Sequence, residues 1–442
     1  MAIDSIANLS AAATRAWEPP ELSQARSEAA LKGAELALPS DEEEDWRYTD
    51  VSRIDLGELQ IPEPTEDPEP VEMDQFSAGR ISGVCPVALE ALGEMSGAIS
   101  VVDGMTVGQA IAADAAGLGV EFGASSRFAT EFASWNEPVA DDKFSALAVA
   151  VGAGAFLRMP QGKALREPFA IWQNSHTPGV LGASHTRIRL EQASSARVLM
   201  HQAGSPDGRS LLIPKTEVSL GPGATLDLVI VQELSNSLDQ IGSVDVRLER
   251  DAQIKIMTVT VGGGLSRLRA QCHLNGEGAG SVMLGASLGR GSSHIDHRTL
   301  QEHAASNTSS DLLYKTVVDD EASSVYSGLI RVEKNVRKVA GYQVNRNLIL
   351  SEGASAESVP NLEILANDVK CSHASATGPV DEEQLYYLQS RGISRDVAER
   401  LIVVGFLGQV LGRSPIPELV PVLRELISDR LAGDDNAGGE NG

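Results

Sequence analysis

From about residue 142 to 370, apolar and polar side chains alternate in short runs: HTRIRLEQ, TLDLVIVQ, SVDVRLER, QIKIMTVTV and SVMLGASLG. Turns containing Gly, Asp or Ser separate them, and a period of two between turn signals predicts strands. Over the same stretch an apolar-x-x-x-Ala pattern recurs at Leu220–Ala224, Leu248–Ala252, Val318–Ala322 and Leu350–Ala354. The steps are 28, 70 and 32 residues, and a degenerate copy at Leu274–Ala279 interrupts the long one. Repeats of this length, each a turn plus one or two short strands, favour a β-solenoid. A β-sandwich is the alternative, but it need not repeat its turn composition.

Outside that region the pattern changes. After Pro19 and Pro20, ELSQARSEAALKGAELAL (21–38) is rich in Ala, Leu and Glu and predicts a helix ended by Pro39. Prolines at 62, 64, 68 and 70 make IPEPTEDPEPVEMD an extended acidic linker or arm. Residues 76–140 read as mixed, with a helical patch around Met105–Leu118 and a break at SWNEP, 134–138. Beyond 380 the chain turns helical. Asp381 with Gln384 forms a capping-box-like start, Gly392 suits the position just past the end, and Ser394 caps the next helix. That helix runs through the apolar 401–411, and a last one places Leu419, Leu423, Leu426 and Ile427 on one face. The expected organisation is an N-terminal helical region with linker (1–75), a mixed segment (76–140), a β core (141–375), a C-terminal helical domain (380–432) and a disordered tail (433–442).

Composition narrows the functions. The 442 residues carry 36 basic and 61 acidic side chains, a net charge of −25 that repels a phosphate backbone, and no basic cluster offsets it. Nucleic-acid binding is therefore not expected. Aromatics are scarce at 4% and glycine is plentiful at 42 residues, which suits thin layers of small side chains. The start of the chain shows no signal-peptide pattern, and the apolar runs 145–157 and 401–411 are shorter than the ~20 residues of a membrane helix. Three separated cysteines, Cys85, Cys272 and Cys371, argue against a disulfide framework. Together these features predict a cytoplasmic protein.

Candidate chemistry concentrates near the end of the β region. Cys371 and His373 sit at i and i+2 in LEILANDVKCSH, so on a strand both leave the same face. Thiolate plus imidazole suits zinc, copper or an iron–sulfur cluster, but two ligands leave such a site incomplete and no C-x-x-C supplies more. In HIDHRTLQEH, strand geometry puts His294 and Asp296 on one face and His297 and His303 on the other, which disfavours a metal cluster there. Walker loops, dinucleotide fingerprints and nucleophile elbows are absent from the sequence.

The stretch NLEILANDVKCSHASATGPVDEEQLYYLQSRGI resembles the C-terminal signature of the SufB/SufD family of iron–sulfur cluster assembly scaffolds. DWRYTD, FLRMPQGKALREPF, HIDHRT with His303, and DDEASSVYSGLIRV resemble it too, so the likeness spans nearly the whole chain. It implies a right-handed parallel β-helix core flanked by N- and C-terminal helical regions, and a non-catalytic scaffold. It further implies pairing with SufB through the β-helix edge and docking of the SufC ATPase on the C-terminal helices. The iron–sulfur cluster would be transient, completed by the partner subunit, with His373 and Cys371 as this chain's share of its metal site. Partner contacts are expected at Asn345, Ile349, Tyr386, Leu401, Phe406 and Leu407, with 342–350 and 362–373 as the pairing edge and a homodimer when isolated. Val344 stands where SufB carries a cysteine, and Cys-Ser-His is similar to the SufD branch, although Ala374-Ser375 replaces its usual glycine. The alternatives are a SufB-like scaffold holding a cluster itself and a β-helix enzyme acting on polysaccharide.

Overall fold

The computed structural model describes residues 6–76, 91–133, 142–204 and 207–432. The break expected at 134–138, the tail and Cys85 lie outside the described residues. One sheet contains β1 (Gly97–Val102), β2 (Met105–Ile111), β5 (Phe169–Asn174), β7 (Ser195–Gly204), β9 (Thr225–Leu234), β11 (Gln253–Gly262), β13 (Gly280–Gly289), β15 (Ser309–Val318), β17 (Arg337–Ile349) and β19 (Asp368–Pro379). The other contains β3 (Glu121–Ala124), β4 (Ala153–Met159), β6 (Leu181–Leu190), β8 (Ser210–Leu220), β10 (Leu238–Leu248) and β12 (Leu265–Leu274). It continues through β14 (His294–His303), β16 (Ser323–Val332) and β18 (Ser355–Ile364). Consecutive strands alternate between sheets and each pairs in parallel with the strand two further on, so the chain winds as a parallel β-solenoid.

The repeat seen in sequence belongs to two corners of this coil. Leu220–Ala224, Leu248–Ala252 and Leu274–Ala279 turn from one sheet to the other, whereas Val318–Ala322 and Leu350–Ala354 turn back. That mixture explains the irregular steps; along one corner, rungs 225, 253, 280 and 309 pair at intervals of 27–29 residues. In each corner the alanine N–H bonds the carbonyl three residues before it, as Ala224 does with Gly221 and Ala252 with Glu249. Ala193, Gly223, Asp251 and Gly278 take positive φ at the first corner, and each donates its N–H to the next coil's corner. The corners are thereby stitched into a column of their own.

Between the sheets lies a lumen filled by side chains. One inward column reads Gln173, Gln202, Gln232, Thr260, Ser287, Thr316, Asn347 and Thr377, polar in every coil. Gln202 donates to Gln173 at 2.9 Å, Gln240 to Gln202 at 2.6 Å and Thr260 to Gln232 at 2.6 Å, so buried amides find partners in neighbouring coils. Flanking columns are aliphatic through the first coils, with Val198, Leu228 and Ile256 stacked above Phe169.

The first coil is closed. β1 pairs in parallel with β5 but antiparallel with β2, and β3 pairs antiparallel with β4. The helical patch expected at Met105–Leu118 is therefore a strand over Met105–Ile111, with a helix only at Ala113–Gly117. Backbone pairing to β1 and burial of Thr106, Gln109 and Ala110 override the local helical composition. The helix predicted at 21–38 is α2 (Pro20–Glu35), which packs with α1 (Ile6–Ala13) against α3 (Lys143–Val151). Arg15 and Arg26, buried beside Glu18, bond the last carbonyls of α3, including Val151 and Gly152, and so satisfy its C-terminus. The proline-rich arm is extended and docked: Gln60 bridges to Val180, Val71 bridges to Ala110, and Ile61 is buried.

Candidate functional site

Among the described residues, the far end of the solenoid has no such closure. β18 and β19 are the last strands of their sheets, and most of their side chains are exposed. The sequence placed the edge at 342–350 and 362–373; the structure moves it, because 342–349 belongs to β17 and is covered by β19. Asn345 is consequently buried and inward-facing, bonding Asn347, while Ile349 packs beside Val318, Ala322 and Ala354. Asn345 is thus closed to a partner at the edge, and Ile349 is half-buried one strand behind it. Leu362, Ile364 and Leu365 are the large apolar residues exposed there.

Cys371, His373, Ser375 and Thr377 follow the inward positions Gly341, Gln343, Asn345 and Asn347 of β17. Ser375 donates to Ser358 of β18 across the lumen at 2.7 Å, which fixes this face as the inner one. His373 lies exposed at the mouth. Cys371 is half-buried against Ile330, Val332 and Val339, and burial pushes its thiol above its ordinary pKa. The two side chains thus share a face but differ in access.

Beneath the mouth the lumen is polar. His297 and His303 on β14 are buried, and desolvation holds both at about 4, neutral at physiological pH. His297 Nε2 meets Ser287 Oγ at 3.0 Å. On the other face of β14, buried Asp296 meets Arg298 at 2.8 Å, Arg267 at 3.7 Å and the Thr49 hydroxyl. Burial alone raises this carboxyl, yet the two guanidinium groups bring it below the usual range. These partners separate Asp296 from the histidines, and no group of three metal-ligating side chains occurs among the described residues. Buried Gln301 and Gln343 have no hydrogen-bond partner at either amide atom among the described residues.

The C-terminal helices α4 (Glu382–Ser390), α5 (Arg395–Leu411) and α6 (Val420–Ala432) pack on the sheet containing β13 and β15. Asp381 caps α4 by accepting from the Glu383 N–H at 2.9 Å; Ser394 occupies the cap position of α5 without a side-chain bond. Of the docking residues expected, Tyr386 and Leu401 are exposed, at 74% and 50%. Leu407 is buried, and the Phe406 ring lies 4.2 Å from Lys315 Nζ, so both hold α5 to the solenoid instead. Tyr387 and Val397 extend the exposed face; a helical wheel restricted to the solvent side of α4 and α5 would have found them.

Residues 172–406 match the family model of the SUF system FeS cluster assembly SufBD core domain. A SufBD family iron–sulfur cluster assembly protein of Mycobacterium tuberculosis is 32% identical over 273 residues, 60% of this chain and 68% of its own length. The SufD proteins of Bacillus subtilis (29% over 297 residues, 66% and 68%) and Escherichia coli (30% over 240 residues, 53% and 57%) are also similar. An uncapped parallel solenoid with this match belongs to a scaffold-type class of assembly component. The chain is a member of the SufB/SufD family of SUF iron–sulfur cluster assembly proteins. SufB of B. subtilis is 27% identical over 301 residues, so identity does not separate the two branches.

Proposed function

We propose that this chain is a SufD-type scaffold that pairs with a SufB-type subunit through β18 and β19 and presents His373 to a cluster assembled between them. The uncapped last coil carries this reading. Its backbone edge is unpaired among the described residues, strand edges invite pairing with another chain, and the exposed imidazole sits within that edge. The cluster is cargo, with its remaining ligands on the partner. Val344, on the outward face of β17, supports the SufD over the SufB assignment. The face of Tyr386, Tyr387, Val397 and Leu401 is the docking surface for the SufC-type ATPase. Membership in the family supports a non-catalytic role, and no helix among the described residues is long and apolar enough to cross a membrane.

The test is co-expression with the partner scaffold and ATPase. His373→Ala abolishes the visible cluster chromophore of the complex while the complex still purifies. Leu401→Glu abolishes ATPase capture while the solenoid stays folded. A stable chromophore on the isolated chain after anaerobic reconstitution would sink this assignment in favour of a SufB-like one.

A further inference from the structure

His303 breaks a column. The inward positions in register with it are Met159, Leu190, Leu220, Leu248 and Leu274, all apolar, before the imidazole appears. The same coil also breaks the corner rule: Thr308 takes the place held by Ala224, Ala252 and Ala279 in earlier coils. The two departures are coupled. Thr308 Oγ1 donates to the Ala305 carbonyl at 3.0 Å, so toward His303 Nδ1, 2.8 Å away, it acts as acceptor. The proton is thereby fixed on Nδ1, and the Nε2 lone pair points into the lumen, where the Ser310 hydroxyl lies at 2.9 Å.

That lone pair faces a sulfur across a gap. Gly341 is the inward residue of β17 directly below Cys371. A Cβ on Gly341 would stand 3.4 Å from His303 Nε2, 3.4 Å from Cys371 Sγ and 3.1 Å from the Ile330 side chain. Glycine thus keeps one atom's worth of space between an imidazole nitrogen and a thiol. Gln301, two residues before His303 on its face, and Gln343, two residues after Gly341 on its face, are 0% and 1% exposed with unpartnered amides. Unpartnered buried amides mark a place where water or an ion completes the bonding.

We propose that Cys371 Sγ and His303 Nε2 form an inner site for a thiophilic divalent cation, with Gln301 and Gln343 ordering the waters that complete its coordination. On binding, the cation displaces the thiol proton to solvent and the Ser310 hydroxyl turns away from Nε2. Thiolate and imidazole together select late first-row ions over magnesium or calcium. This site goes beyond the pairing role of His373 and does not rest on it.

Co2+ alone, titrated into the full chain under anaerobic conditions, is the probe. The parent protein develops one equivalent of thiolate-to-cobalt charge-transfer absorption. Cys371→Ser removes it. His303→Gln and Gly341→Ala weaken Co2+ binding by about tenfold or more, the first by deleting a ligand and the second by filling the gap with a methyl group. Gly341 does not have a positive φ, so alanine fits its backbone, and an unchanged unfolding midpoint confirms the fold. If one of these two variants fails to fold, the other decides. Parent-like Co2+ binding in either folded variant, or no thiolate band on the parent, overturns the site.

Discussion

In the coils around β5 to β11 the lumen columns flanking Gln173, Gln202 and Gln232 are apolar, with Ile171, Val198, Met200, Leu228, Ile230 and Ile256 all buried. In the coils around β14 to β19, Gln343 and Asn345 continue the Val198 and Ile171 columns, and β19 ends that sheet in Cys371, His373 and Ser375. His303 and Gln301 continue the apolar Leu190 and Ile188 columns of the other sheet. The first stretch is closed by antiparallel strands; the second is open. One tube therefore has a stabilising end and an end where buried polar groups are retained at a cost. Violations of the packing rule gather at the uncovered end, the pattern expected of a functional site.

The largest break in this comparison comes from the apolar end. Ile256→Ala leaves a cavity and lowers unfolding stability by ~2–5 kcal/mol in denaturant titration. Acid probes the polar end. His297 is held at about 4 when folded and has its ordinary value, 6.5, when unfolded. Between those values the unfolded chain binds the extra proton, so stability declines as pH falls from 6.5 toward 4 and levels off below. The contribution of this histidine is on the order of 3 kcal/mol, and His297→Gln makes the profile shallower over that window in pH-dependent unfolding. The slope that remains comes from His303 and His185, which burial holds at the same value.

Smaller effects sharpen the contrast. Gln343→Met replaces an unpartnered buried amide by an apolar chain of similar length and raises the metal-free unfolding stability by about 1 kcal/mol. The same change at Gln202, whose amide bonds Gln173 and Gln240, lowers it. At the mouth, His373→Ala shifts stability by less than ~0.5 kcal/mol in the isolated chain, because the side chain is exposed. A drop of several kcal/mol there would mean that the open end is structural after all.

The solenoid was legible in sequence because alternating runs and corner alanines repeat, and strand parity alone split Asp296 from His297 and His303. Burial on both faces hid the rest. Gln173, Gln202 and Gln232 look like solvent-facing positions in an alternating strand, yet they point into the lumen. Asn345 looks like an edge residue in sequence because nothing local reveals that β19 covers β17. Cys371 and His373 were visible as a pair, but His303 lies 68 positions before Cys371 and meets it only through winding. Its signal was the missing copy of the corner repeat at 303–308, where histidine and threonine stand in for an apolar residue and alanine.

The stitched corners bear on how the molecule opens. Each inner coil is held by its two neighbours along both sheets and at the corner; the first is covered by β1 and β3 on its outer side, and the last has a single neighbour. Linear arrays of this kind fray from an unsupported terminus, unit by unit. Amide hydrogen exchange should thus run as a gradient, fastest in β18 and β19 and slowest near β9 and β11. The coil bearing His373 is the one most easily lifted, and whatever seats against it acts as the missing next coil, arresting exchange along the whole ladder behind it.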